Sequence, residues 1–198
     1  MAERAEYWRH AFRAHAPLAR EVLEIGSFVG GSASLFLTLL PEARIVCVDP
    51  FTGDLHGGEA YNGDVATIEQ RFDEALAPFP GRVEKTRSRS VPALDALVVQ
   101  GRRFDVIYID GSHRHDDILV DSLLAWPLLR VGGLMMWDDY RGGQSWPAKD
   151  RPRHAIETFL GLHPEHRVIH ARYQLYAVKT AAAQPLRARL SLARRRLT

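Results

Sequence analysis

Cysteine is almost missing: Cys47 is the single thiol in 198 residues, so an internal disulfide is excluded and the fold must rest on its core. Cys47 lies in the apolar run Ile45-Val-Cys-Val48, which marks a buried core thiol rather than a reactive one. Long apolar runs are missing too; none approaches the ~20 residues that cross a bilayer. The charged opening Met1-Ala-Glu-Arg-Ala-Glu lacks the apolar stretch of a signal peptide, and a cytoplasmic location is expected. Neither charge sign prevails, with 26 Lys and Arg against 24 Asp and Glu. Much of the positive charge is local: Arg187, Arg189, Arg194, Arg195 and Arg196 crowd the end of the chain and leave the body slightly acidic. That balance argues against a nucleic-acid partner, which asks for a broadly basic surface. The tail reads as a solvated extension or as a helix on an anionic surface, although its apolar residues are few. There is no internal repeat.

Apolar residues at 46% and charged residues at 25% are ordinary for a globular chain, and the length suits one domain. The expectation is a single domain over 1–180, opened by a helix over 1–20 that Pro17 ends or bends, followed by the basic tail 181–198. After that helix, strands alternate with helices. Strands are expected over 21–25, 44–48, 104–109 and 132–137, with a weak one over 82–86, and helices over 32–40, 64–76, 90–100, 116–129 and 153–162. Two closing strands, 167–170 and 174–179, are too near each other for a crossover and form an antiparallel hairpin. Near-continuous apolar strands between helices mean a parallel sheet covered on both faces. The fold class is therefore α/β, a Rossmann-like three-layer sandwich whose seven-stranded, mostly parallel sheet has one antiparallel strand near the C-terminus.

The first strand runs into Gly26-Ser-Phe-Val-Gly-Gly-Ser32. A glycine turn there lies at the carboxyl end of a strand, where open α/β sheets bind ligands, and it lets the backbone approach a ligand closely. A dinucleotide fingerprint would need glycine at position 28 to seat a pyrophosphate. Phe28 stands there instead, and no phosphate-loop lysine follows, so the loop suits a nucleoside without phosphates. Asp49 ends the second strand about twenty residues on, the usual place for a ribose-binding acid; the alternative is an aspartate that caps the turn before Pro50. Phe51 could lie on an adenine face.

Glu24-x-Gly26-x-x-x-Gly30, Asp49 and Phe104-Asp-Val-Ile-Tyr-Ile-Asp110 together resemble the class I S-adenosylmethionine-dependent methyltransferases over roughly residues 20–180. The resemblance implies S-adenosylmethionine as cofactor, with Glu24, Gly26, Ser27, Phe28, Gly30 and Ser32 around its methionine part and Asp49 on its ribose. It also implies an adenine-side contact from Ser88 or Ser90, and Asp110 beside the cofactor.

Asp110 ends the fourth strand, and Asp138 and Asp139 end the fifth. Neighbouring strands lie about 4.8 Å apart, so the three acids are expected to converge. Carboxylates that close repel one another unless a cation intervenes, and an all-oxygen set suits Mg²⁺ ahead of Mn²⁺ or Ca²⁺. This pattern resembles the metal-dependent O-methyltransferases. Asp49-Pro-Phe-Thr-Gly-Asp54 is most similar to the bacterial tailoring group that methylates antibiotic or sugar hydroxyls. The longer N-terminal cap of the catechol type is lacking. His113, three residues past Asp110, stands where that type carries a lysine base, and an imidazole serves as a proton acceptor at neutral pH; the plainer alternative is a histidine at a helix entry.

The reading is a methyl transfer from S-adenosylmethionine to a small-molecule or sugar hydroxyl, with Asp110, Asp138 and Asp139 on the metal and His113 and Asp110 catalytic. The rivals are a metal-independent N- or O-methyltransferase and a noncatalytic cofactor-binding or scaffold protein. Tyr61, Trp137, Tyr140 and Trp146 are open between stacking on an acceptor ring and packing. The resemblance allows a homo-oligomer, and no sequence feature decides it.

Overall fold

The computed structural model describes residues 2–55, 59–60 and 63–182; Tyr61 and the arginines of the tail lie outside them. In chain order the elements are α1 (Ala2–His15), β1 (Glu21–Ile25), α2 (Gly31–Leu39), β2 (Arg44–Asp49), a short ladder of β3 (Asp54–Leu55) and β4 (Glu59–Ala60), α3 (Ile68–Leu76), β5 (Val83–Arg87), α4 (Ser90–Val99), β6 (Phe104–Ile109), α5 (His115–Ala125), β7 (Leu129–Trp137), α6 (Pro152–Leu162), β8 (His166–Ala171) and β9 (Leu175–Lys179).

Seven strands form one sheet in the order β5-β2-β1-β6-β7-β9-β8. β9 runs antiparallel to both its neighbours, while the strands from β5 to β7 pair in parallel. This is the expected Rossmann-like sheet with one antiparallel strand. Successive connections run outward in opposite directions from β1 and β6, which makes the carboxyl ends of these two strands the switch point where such sheets open a crevice.

Several boundaries differ from expectation for local reasons. α1 stops at His15 rather than near residue 20, because the proline two residues on has no N–H to continue the ladder. α3 is preceded by a 3-10 turn, Val65–Thr67, capped by the Asp64 carboxylate at 3.0 Å from the Ala66 N–H. Pro127 converts the expected end of α5 into the 3-10 turn Trp126–Leu128, so β7 starts at Leu129 rather than at Gly132. The segment after β2 contains the β3–β4 ladder.

Each face of the sheet has its own core. α4, α5 and α6 cover one, with Trp126, Trp137 and Phe159 at its centre. α1, α2 and α3 cover the other, where Trp8 stacks on Phe36 at 4.3 Å and meets Tyr108 edge-on at 5.1 Å. Burying a large apolar side chain is worth about 1.5–3 kcal/mol, so Trp8 makes α1 an integral layer of the fold rather than an appended helix. Cys47 is fully buried, as expected. No helix among the described residues is long and apolar enough to cross a membrane.

Candidate active site

β1 and β6 lie side by side with Ile25 opposite Ile109, and the turns that leave them face each other. Gly26 has φ +87°, and a Cβ there would stand 2.1 Å from the carbonyl oxygen of Asp110. Its N–H bonds the Val48 carbonyl at 2.9 Å, so three strand ends are fastened at one glycine. Phe28 has φ +46° and Gly30 φ +80°. This turn and the Asp110–His113 segment enclose a cavity of about 330 Å³, lined by Gly26, Ser27, Phe28, Ser32, Gly111 and His113 among others. Most of the loop residues singled out from the sequence therefore meet in one place.

Glu24 lies beneath them, fully buried. Neither of its carboxylate oxygens has a hydrogen-bond partner among the described residues. Burial raises its pKa from 4.5 to about 7, with nearby Ser27, Ser32 and Cys47 tempering the shift and Asp110 adding to it. Because this folded pKa lies above the unfolded one, the proton stabilises the fold at low pH. The cost of the buried charge appears as pH rises from about 4.5 and is complete above about 7. Glu24→Gln, which mimics the protonated acid, should therefore melt higher than the wild type at pH 8, by on the order of 3 kcal/mol or roughly 6–12 °C. The two should converge near pH 4.5. Coincident circular-dichroism melts at pH 8 would contradict this.

Asp49 accepts the N–H of Phe28 at 2.8 Å on one oxygen and that of Phe51 at 2.6 Å on the other, so it braces the glycine turn as well as ending β2. Burial raises its pKa and these backbone bonds oppose the rise. Phe51 departs from expectation. Its ring is buried against Phe72, with centroids 5.2 Å apart, and forms core beneath the turn instead of an open face for adenine. Its backbone is left-handed at this point (φ +54°). Neither Ser88 nor Ser90 lines the 330 Å³ cavity. The Ser88 hydroxyl bonds the Arg89 carbonyl at 2.9 Å, and Ser90 opens α4 next to the buried Asp121.

The three acids do not converge as expected. Asp110, His113 and Asp139 bring ligand atoms within 4.8 Å of one another; Asp138 borders the same pocket but is not part of that group. Asp138 and Asp139 lie in the turn past Trp137, the last residue of β7. Asp138 is held by Arg4, whose Nη2 is 3.2 Å from both carboxylate oxygens, and by the amide of Gln174. Gln174 in turn accepts the Trp8 indole N–H at 3.0 Å and the Tyr176 hydroxyl.

His113 Nε2 stands 2.9 Å from Asp139 Oδ2 and 3.6 Å from Asp110 Oδ1. Burial by itself would lower its pKa; the hydrogen bonds and charges of Asp110 and Asp139 prevail and raise it to about 9. An imidazolium thus sits between the two carboxylates. Burial lifts Asp110 to about 7, His113 working against the rise and Asp138 and Asp139 with it. Tyr108 donates to the other Asp110 oxygen at 3.1 Å. His115 points elsewhere, to Asp116 at 2.7 Å and His154 at 3.0 Å. Trp137 and Tyr140 are packing residues, bonded to Ser122 at 2.9 Å and Glu157 at 2.9 Å.

Arg4, Gln174 and Tyr108 are site residues that sequence reasoning missed. Only Gln174, a polar residue heading an apolar strand, carried a local signal.

The model of a family described as "Methyltransferase domain" matches residues 23–140. An uncharacterized protein of Acanthamoeba polyphaga mimivirus is 26% identical over 119 residues, 60% of this chain and 51% of that protein; the chain spans about half the length of this curated relative. Among solved structures, the O-methyltransferase TomG from Streptomyces achromogenes, involved in tomaymycin synthesis and solved with S-adenosylmethionine, superposes with a TM-score of 0.67 at 20% identity, covering 91% of this chain and 81% of TomG. The methyltransferase MycE of the mycinamycin pathway, solved with Mg and S-adenosylhomocysteine, gives 0.63 at 17% identity over 91% of this chain and 51% of MycE.

Proposed function

Since the chain belongs to the methyltransferase-domain family, we propose that it moves the methyl group of S-adenosylmethionine to a hydroxyl of a small molecule or sugar, assisted by a divalent cation. The observation that carries this reading is the cavity between the glycine turn and Asp110–His113, with the Asp110–His113 pair on its wall and the buried Glu24 carboxylate behind the turn, next to Ser27 and Ser32. Glu24 is placed to accept a cationic group, as the ammonium of the methionine part is. Asp49 has lone pairs left for ribose hydroxyls after bonding two backbone N–H groups.

The sulfonium leaves as a neutral thioether, so no general acid is needed. The protein must hold an oxygen in line behind the methyl carbon and take its proton. His113, held between Asp110 and Asp139, is the base in this reading. To act so it must first shed the proton that Asp110 and Asp139 hold on it, which happens when those carboxylates are neutralised by another positive charge. Asp110 and Asp139 suit Mg²⁺, which is commonly held by one or two carboxylates. A divalent cation there would lower the pKa of the acceptor hydroxyl. TomG and MycE, solved with S-adenosylmethionine and with Mg plus S-adenosylhomocysteine respectively, support the cofactor and the cation.

Calorimetry with S-adenosylhomocysteine, followed by mass-spectrometric detection of methylation across phenol and sugar acceptors with Mg²⁺ or EDTA, tests the reading. Cofactor binding with turnover that EDTA suppresses is expected. Turnover indifferent to EDTA would select metal-independent transfer, a second reading favoured by the way His113 and Arg4 already balance the acids. Binding without transfer to any acceptor would point to a noncatalytic protein.

A further inference from the structure

Arg4 is the one site residue contributed by α1, and its surroundings go beyond an ordinary surface pair. Its partner Asp138 is buried, and the ion pair reaches across 134 residues of sequence. Burial disfavours the guanidinium charge, yet Tyr108, Asp138, Asp110 and Asp139 together raise the Arg4 pKa; the side chain lies in the field of all three strand-end acids. Arg4 therefore occupies electrostatically the place of a cation, and it engages the one carboxylate of the three that is missing from the Asp110–His113–Asp139 group.

The attachment is local. Trp8, one turn further along α1, is fully buried and stacked on Phe36, so the middle of α1 is anchored in the core. The first turn is held by Arg4 and remains partly exposed, with the Arg4 side chain at 37%. A first turn can let go of Asp138 without Trp8 leaving the core, because helix ends fray more readily than packed helix centres.

We propose that Arg4 is a built-in counter-cation that competes with a divalent cation for Asp138. While it is seated, a cation meets only Asp110 and Asp139; when it lets go, Asp138 keeps the Gln174 amide on one oxygen and has the other to offer beside them. By reciprocity, a cation that gains Asp138 favours release of the first turn of α1 by the same factor that seated Arg4 weakens the cation. Arg4 is thus a positioning residue that links cation loading to the N-terminal flap. The inference rests on the cation-assisted reading above.

The test is a binding measurement. Mn²⁺ is titrated into the full-length wild type, R4Q and R4K and followed by electron paramagnetic resonance, with hydrogen exchange of residues 4–9 measured with and without Mn²⁺. R4Q should bind Mn²⁺ about 10-fold more tightly than the wild type. R4K, which keeps the charge, should fall between them, and Mn²⁺ should speed exchange at the start of α1 in the wild type only. Equal or weaker binding by R4Q, or no binding by any of the three, overturns the linkage. Turnover that persists in EDTA would withdraw the cation-assisted reaction yet leave an altered Mn²⁺ affinity in R4Q as evidence of competition, so the two failures are distinguishable.

Discussion

His113→Ala is expected to lower kcat by roughly 10²–10⁴-fold, the usual contribution of a positioned base, while leaving the Kd for S-adenosylhomocysteine within about threefold. The imidazole stands 2.9 Å from Asp139 and 3.6 Å from Asp110, so its loss removes the proton acceptor and leaves both carboxylates without their shared cation. The glycine turn on the opposite wall of the cavity is unaltered by the substitution. Imidazole added to the buffer should restore part of the rate, because a small base can enter the vacated space, whereas a loss due to misfolding would not respond. Turnover by His113→Ala at the wild-type rate would remove His113 from the reaction and leave Asp110 or solvent as the base. The comparison needs an acceptor substrate, and the panel above supplies it.

Gly26→Ala should have the largest effect on stability, more than about 4 kcal/mol and enough to yield insoluble or unfolded protein. A methyl group there would lie 2.1 Å from the Asp110 carbonyl oxygen, 2.4 Å from its carbon and 2.5 Å from the Gly111 Cα. All three are backbone atoms at the end of a central strand, so no side chain can swing aside to make room. The positive φ adds strain for any residue with a Cβ. Gly31→Ala is the matched control: nothing lies within 4 Å of its would-be Cβ, and its stability should stay within about 0.5 kcal/mol of the wild type. Urea unfolding of the two variants measures the contrast. A folded Gly26→Ala protein with unchanged stability would show that the β1 and β6 turns separate more easily than their contact implies.

The central strands are legible in the sequence because β1, β2 and β6 are buried on both faces and read as apolar runs, whereas the edge strand β5 is largely exposed and polar. The run 104–109 and the first strand, 21–25, were placed to the residue, and the hairpin geometry of β8 and β9 followed from the short chain between them. The misplaced boundaries lie where proline or a local cap competes with periodicity, at His15, Val65–Thr67 and Trp126–Leu128. The glycine turn was legible for a different reason: Gly26 and Gly30 need left-handed backbone, and few residue types tolerate it.

Local features of the chain supply the chemical groups at the carboxyl edge of the sheet: a glycine turn, Glu24, Asp49, Asp110, His113, Asp138 and Asp139. Strand ends and turns are local features, and residue order alone brings these groups to one edge. Tertiary structure alone decided which of them face one another. Gln174 and Arg4 hold Asp138 while His113 holds Asp139, α1 brings Arg4 onto Asp138, and Phe51 packs into the core. Each of these outcomes depends on the packing of segments far apart in the chain. The partnership of Arg4 and Asp138, 134 residues apart, exists only because Trp8 docks α1 beside the end of β7.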